Sequence, residues 1–467
     1  MSLPHHGMPR RRPMALALSL ALVLPVLLVT AGAAAGAPQP VRFATFNASL
    51  NRLVHYGSLV APTPGSALAD LSAPYDPDEA DPKLEQRRHQ IENVAEVIRR
   101  VRPEILLINE FDYVEGPLSG NAATAAFQAN YLGIDKPDDT TEPIVYPYVF
   151  VAPSNTGISS GKDLDNSGSV VSTPGSGAYG NDSFGFGEFP GKFGMAVFSM
   201  YPIDYAAART FQTFLWKDMP GAMLPHYPDP FPANPALAGQ PWYSSDELDI
   251  FRLSSKSHWD LPIDIGGTTV HFLVSHPTPP VFDGLEDRNG TRNFDEISLW
   301  ADYITPGAAG YIYDDAKVYG GLPPGAAFVI AGDQNSDPLD GDSIDGAIQQ
   351  LIEHPLVNTK VTPESPGAVQ QSALQGRANA THLSDPRFDT ADFADGAPGN
   401  LRADYVLPRK NLQIAGAGVF WPLNTDPTFP LVGTFDSANW GEVGGFPTSD
   451  HRMVWVDVRV PGSGRGG

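Results

Sequence analysis

Short, mainly apolar runs of five to seven residues recur along the chain, separated by long polar stretches rich in Gly, Pro, Asp and Ser. Runs at 41–47, 104–110, 148–152, 195–199, 270–275, 327–331, 403–407 and 453–458 are of strand length and predict eight strands. A different period governs 82–101. There Leu84, Ile91, Val94, Ala95, Ile98 and Val101 share one face while Glu85, Arg88, Glu92, Glu96 and Arg99 lie mostly opposite, which predicts an amphipathic helix ended by Pro103. The polar clusters at about 54–82, 114–190, 217–247, 277–292 and 360–400 predict loops. Many strands and few helices predict two packed sheets with some helical cover. No repeat or linker separates two cores, so 38–467 is expected to be a single domain with long insertions.

The first 37 residues break this pattern. Arg10, Arg11 and Arg12 precede a long Ala/Leu/Val run that ends in Ala33-Ala34-Ala35-Gly36-Ala37, the layout of a secretory signal peptide. The expectation is a secreted, extracellular protein, with an uncleaved anchor as the alternative because the run is long enough to span a bilayer. No second run of that length follows, so no stable membrane association is expected once the segment is removed. The 467 residues contain no cysteine, which excludes disulfides and thiolate metal sites and leaves O and N ligands for any metal. Removing the segment's three arginines takes the formal charge from −23 to −26. That balance argues against holding a polyanion by bulk electrostatics and favours divalent cations.

Candidate chemistry gathers where strands end. Phe328-Val329-Ile330-Ala331 is followed by Gly332, Asp333, Gln334 and Asn335. Residues i and i+2 of extended chain point the same way, so Asp333 and Asn335 present a carboxylate and a carboxamide to one point, equipment for orienting and deprotonating water. Read alone, Gly-Asp-x-Asn is equally an ordinary turn. Ile105-Leu106-Leu107-Ile108 delivers Glu110, a carboxylate too costly to bury unpaired. Asn47, His276, Asp404 and the pair Asp450-His451 likewise stand at the ends of predicted strands. Any one of these is commonplace; the ordered set is not.

In that order, and with Gly194-Met195-Ala196-Val197-Phe198-Ser199 before Tyr201-Pro202-Ile203, the chain resembles the endonuclease/exonuclease/phosphatase superfamily. This is the fold of pancreatic deoxyribonuclease, abasic-site endonucleases, sphingomyelinases and inositol polyphosphate phosphatases. The resemblance implies an α+β, four-layer αββα sandwich with its site at one mouth of the paired sheets. It implies that Glu110 binds a divalent metal with help from Asn47, and that Asp450 orients the site or adds a ligand. Asp333 and Asn335 would hold the attacking water, with Asp333 as base. His451, held by Asp404, would contact phosphoryl oxygens, and His276 would donate a second hydrogen bond or protonate the leaving oxygen. Hard oxygen ligands suit Mg²⁺, with Mn²⁺ or Ca²⁺ as alternatives.

The implied activity is metal-dependent hydrolysis of a phosphate ester, the partner being a small-molecule or nucleic-acid substrate. A nuclease is one alternative; a non-catalytic binding protein on the same scaffold is the other. Gln334 stands where an apolar residue is common in the family, and Met200-Tyr201 replaces the commoner Arg-Tyr. Lys256 and Arg292 are the candidate phosphate contacts. The run Asp163-Leu164-Asp165-Asn166-Ser167-Gly168 imitates half of a calcium loop, so a structural Ca²⁺ there is a further expectation, although no bidentate glutamate follows. Gly157-Ile158-Ser159-Ser160-Gly161 fits a serine-nucleophile pattern but lies in polar loop sequence and is discounted.

Overall fold

The computed structural model describes residues 39–52, 65–135 and 141–461; the expected signal segment, 1–37, lies outside the described residues. The strands in chain order are β1 (Pro40–Asn47), β2 (Ile105–Asn109), β3 (Tyr148–Phe150), β4 (Met195–Ser199), β5 (Arg209–Thr210), β6 (His258–Ile265) and β7 (Thr268–Ser275). They continue as β8 (Ala327–Asp333), β9 (Ala391–Asp392), β10 (Asn400–Leu401), β11 (Asp404–Pro408), β12 (Gln413–Val419) and β13 (Val454–Arg459). One sheet runs β12-β13-β1-β2-β4-β3 and the other β11-β8-β7-β6-β5, while β9 and β10 form a separate two-stranded ribbon.

Two parallel pairs set the geometry of the site. β1 and β2 run side by side with Asn47 level with Asn109, and β7 and β8 do the same with Val274 level with Ala331. Their carboxyl ends therefore emerge together, and the neighbouring antiparallel strands enter at the same edge. β11 begins with Asp404 opposite Asp333, and β13 begins with Val454 opposite Thr45, just after Asp450 and His451.

Alternation along the strands divides the apolar residues between two faces. Val41, Phe43, Ile105 and Leu107 meet Leu261, Phe272, Val274 and Val329 between the sheets. On the outer face of the first sheet, Phe46, Leu106 and Ile108 pack on Ile91, Val94 and Ile98 of the Pro82–Val101 helix. On the outer face of the second, Leu273, Ile330 and Tyr405 pack on Ile297 and Trp300 of the Arg288–Ile304 helix. Each such side chain contributes about 1.5–3 kcal/mol when fully buried. The result is helix, sheet, sheet, helix: the α+β αββα sandwich.

The eight strands and the 82–101 helix expected from the sequence are present within a few residues of their expected bounds. Among the further elements that escaped the pattern, four have an identifiable reason. β6 carries Asp260 and Pro262 among its apolar residues, and Asp260 is buried because it pairs with His271 and accepts from Tyr303. β12 reads as glycine-rich loop, yet Gly418 is needed there because a Cβ would approach the Trp455 ring to 2.8 Å. The Arg288–Ile304 helix starts in the polar stretch read as loop, where Arg292, Asn293, Asp295 and Glu296 are all buried by specific partners. The Pro366–Gln375 helix has small and polar residues in place of an apolar stripe.

Candidate active site

The strand ends meet in a cavity of about 1170 Å³. Glu110, His276, Asp333, Asn335, Asp450 and His451 line it, while Asn47 and Asp404 stand directly behind them. A Cβ at position 332 would lie 2.1 Å from the Ser275 carbonyl oxygen, so the residue ahead of Asp333 has to be glycine for β7 and β8 to close this tightly.

Asp333 is the centre. Its Oδ1 accepts the Asn335 backbone N–H at 2.9 Å and its Oδ2 accepts Asn47 Nδ2 at 3.0 Å. The Nε2 atoms of His276 and His451 lie 3.4 and 3.6 Å from the same Oδ2. Burial pushes the Asp333 pKa up to about 6; His451 pulls it down and Asp404 pushes it up further. Asn335, in the left-handed region at φ 51°, anchors its Nδ2 on the Pro277 carbonyl at 3.1 Å.

The two histidines differ. His451 Nδ1 sits 2.9 Å from Asp404 Oδ2, which also accepts Thr390 Oγ1 at 2.8 Å. Burial alone would lower the His451 pKa, but the Asp404 and Asp333 carboxylates outweigh it and raise it well above the ordinary value. His276 has no such partner: its Nδ1 is buried without a hydrogen bond. Burial, then the charges of Lys256 and His451, hold its pKa well below the ordinary value, so His276 is neutral at pH 7. A neutral imidazole donates one hydrogen bond, the first of the two roles that the resemblance offers His276.

Glu110 occupies the left-handed region at φ 60°, a cost of about 1–2 kcal/mol for a residue with a Cβ. That backbone turn aims its carboxylate into the cavity, where Asn51 Nδ2 holds Oε2 at 2.5 Å. Burial and the neighbouring Asp450 raise the Glu110 pKa, with His451, Asn47 and Lys256 opposing. Neither Glu110 nor Asp450 pairs with a lysine or arginine among the described residues. Two hard carboxylates converging without a cation fit a divalent metal, whose charge would relieve their repulsion.

Three residues outside the expected set support the floor. Asn109, fully buried, accepts from Thr45 Oγ1 at 3.1 Å and from the Asp333 backbone N–H at 3.2 Å, and donates to the Ser275 carbonyl at 3.4 Å. It thereby ties the tips of the two sheets together. Its sequence signal was its place between the buried strand and Glu110. Thr390 accepts the backbone N–H groups of Ala403 and Asp404 while donating to Asp404. Asn51 gave no signal, since the polar turn after β1 reads as loop.

Neither expected phosphate contact lies on the cavity wall. Arg292 is buried and spends its guanidinium on the carbonyls of Leu253, Phe184 and Arg252, so it is a strut of the Arg288–Ile304 helix away from the cavity wall. Lys256 is also off the wall: its buried ammonium lies 3.3 Å from the Pro277 carbonyl, with burial lowering its pKa. In the 163–168 loop, Asp163 and Asp165 approach Asp182, a third carboxylate the sequence did not single out. Asp163 accepts the N–H groups of Ser167 and Gly168, and Asp182 those of Leu164 and Val171.

A model of the Endonuclease/Exonuclease/phosphatase family matches residues 44–451. No curated protein matches the chain. Among solved structures, an endonuclease/exonuclease/phosphatase from Beutenbergia cavernae is 17% identical, covering 90% of this chain and 72% of its own, with a TM-score of 0.41. Sphingomyelinase C from Streptomyces griseocarneus is 15% identical over 90% of this chain and 99% of its own, with a TM-score of 0.39. A Staphylococcus aureus beta toxin variant with bound magnesium ions is 12% identical over 90% and 99%, with a TM-score of 0.40.

Proposed function

Because the chain belongs to the endonuclease/exonuclease/phosphatase family of metal-dependent phosphoester hydrolases, we propose that it cleaves small or exposed phosphate esters by in-line attack of water. The observation that carries this reading is Asp333, a carboxylate with a pKa near 6, set between Asn47, Asn335 and two histidines on a cavity wall.

In this mechanism Asp333 takes the proton of the attacking water, which Asn335 helps to orient. His451, kept protonated by Asp404, faces the oxygens on phosphorus that gain charge, and neutral His276 donates one further hydrogen bond. Glu110 and Asp450 would hold Mg²⁺, with Asn47 in support and Mn²⁺ or Ca²⁺ as substitutes; the ion would neutralise phosphoryl charge. Lys256 adds positive potential from behind the wall.

Small or exposed esters are favoured over polynucleotides by the cavity's charge. Eight carboxylates line it against one arginine, Arg377, so a strand carrying many phosphates is repelled outside the catalytic centre. Plasmid DNA, a phosphomonoester panel and bis(p-nitrophenyl) phosphate, each assayed with Mg²⁺ and with EDTA, test the reading. We expect EDTA-sensitive turnover of a small ester above that of DNA; turnover indifferent to EDTA, or a preference for DNA, would overturn it.

Export is the proposed location, supported by the Arg10–Arg12 cluster and the apolar run after it. N-terminal sequencing of protein recovered from the medium should begin near residue 38, whereas an intact N-terminus in the membrane fraction would contradict export. A structural Ca²⁺ at Asp163, Asp165 and Asp182 is a secondary reading, tested by calorimetric titration of a Glu110→Gln/Asp450→Asn variant.

A further inference from the structure

Thr390, Ala391, Asp392 and Phe393 belong to a stretch that the sequence reads as loop, yet all four converge on the segment that carries His451. Thr390 holds Asp404, which in turn holds His451 Nδ1. Ala391 faces His451 in an isolated antiparallel bridge. Phe393 sets its ring T-shaped against the His451 ring, with centroids 5.2 Å apart. Asp392 has no such direct contact to explain it. It is a carboxylate at the cavity wall with only 1% of its surface exposed.

Arg452, equally buried, is its partner. Arg452 Nη2 donates to Asp392 Oδ2 at 3.0 Å, while Nη1 donates to the carbonyls of Ser449 at 2.7 Å and His451 at 3.2 Å. The carbonyl between those two, that of Asp450, accepts the Asp392 backbone N–H at 2.7 Å. Three consecutive carbonyls are therefore taken by two residues. In addition, the Arg452 backbone N–H donates to the Thr390 carbonyl at 2.7 Å, and the His451 N–H to Ser449 Oγ at 3.0 Å. Asp392 Oδ1 accepts Gln375 Nε2 at 2.6 Å, so both of its oxygens are engaged within the protein.

Stability is a weak reason to keep this pair. Taking both charges out of water costs about what their attraction returns, and packed apolar side chains in the same space often serve as well. Arg452 is also incompletely satisfied: its Nε is buried without a hydrogen bond, and the guanidinium lies over the Trp421 ring at 4.5 Å. Geometry is the stronger reason. A planar fork holds two carbonyls and a carboxylate at fixed angles, which neither an apolar chain nor a lysine can do. What the pair supplies is the course of the backbone from Ser449 to His451.

We infer that Asp392 and Arg452 are positioning residues for the hydrolysis: Arg452, oriented by Asp392, clamps the Ser449–His451 backbone and so fixes where His451 and Asp450 enter the cavity. Neither residue of the pair acts on the substrate itself. Asp404 sets the ring of His451, and this pair sets the backbone beneath it. The inference rests on the phosphoesterase reading, because the placement of His451 against phosphorus is what the clamp serves.

The test compares the intact protein with two variants, Asp392→Leu/Arg452→Met and Arg452→Lys. Each is assayed with Mg²⁺ on the panel ester that the wild type turns over fastest, and its melting temperature is measured alongside. The double variant leaves no buried charge unpaired, so it should melt near the wild type. Its kcat should nevertheless fall by about 10²-fold with little change in KM, because His451 is no longer held in place. Arg452→Lys keeps the charge beside Asp392 but cannot span both carbonyls, and its kcat should lie between the two. A folded double variant with wild-type kcat would overturn the inference, as would a loss confined to KM. If the double variant does not fold, Arg452→Lys decides: a reduced kcat at unchanged KM upholds the clamp and a wild-type kcat overturns it. A wild type inert towards every ester would sink the phosphoesterase reading, whereas an active wild type matched by an equally active double variant would sink this inference alone.

Discussion

At the floor of the cavity, Asp333, His451 and Glu110 sit on or beside the strands of two packed sheets, and side-chain hydrogen bonds fix each of them. At its mouth, Phe282, Phe393 and Phe435 ride on loops and on the short ribbon of β9 and β10, with apolar or T-shaped contacts in place of polar ties. The floor must hold reacting groups to fractions of an ångström, so it uses backbone register and buried hydrogen bonds. The mouth has only to select what enters, and loops attached to the rigid tips are sufficient for that. Chemistry and selectivity therefore occupy different parts of one cavity, and substitutions should separate them.

The sharpest separation is expected from Asp333→Asn, which keeps the shape and removes the base. Turnover of a soluble ester should fall by about 10³–10⁴-fold with an unchanged circular dichroism spectrum; near-normal turnover would remove Asp333 from the mechanism. Asp404→Asn is next. It frees His451 to titrate lower, and a loss of about 10²-fold is expected, greatest at the alkaline end of the pH profile. Wild-type kcat/KM should fall about tenfold per pH unit below pH 6. Asp333 must be ionised to act, and burial has raised its pKa to about 6, so its active form is lost as pH drops through that value. A profile flat from pH 7 to pH 4 would contradict this.

Asn109→Ala tests whether the floor depends on the join between sheets. It leaves the Asp333 N–H and the Ser275 carbonyl without this partner, costing about 1–3 kcal/mol of stability, measurable by urea titration, together with a drop in kcat and little change in KM. Arg292→Met is the smallest expected effect on activity. Its carbonyl partners belong to the scaffold, so a lower melting temperature with an unchanged KM is expected, and a raised KM would restore Arg292 to phosphate binding.

The same contrast explains what the sequence made legible. The floor could be read because its residues stand at the ends of apolar strands in a fixed order: Asn47, Glu110, His276, Asp333, Asn335, Asp404, Asp450 and His451. What escaped was the state of each group. His276 and His451 look alike in sequence, yet burial, then Lys256, lowers the pKa of His276, while the Asp404 and Asp333 carboxylates outweigh burial and raise that of His451. Arg292 and Lys256 misled because a cation in a polar stretch reads as solvent-facing. Arg292 instead opens a helix whose buried half is polar, satisfied by carbonyls 39, 40 and 108 positions away in sequence. The mouth left no trace, since Phe282 and Phe435 among glycines and prolines carry no period.

Anomalous scattering from a crystal soaked in Mn²⁺ addresses the central claim, that tips of two sheets converge on one metal-holding, water-activating site. A strong peak is expected in the cavity against the Glu110 and Asp450 carboxylates, on the Asp333 side of the wall. A crystal with no peak there, or with manganese only at Asp163, Asp165 and Asp182, would contradict it.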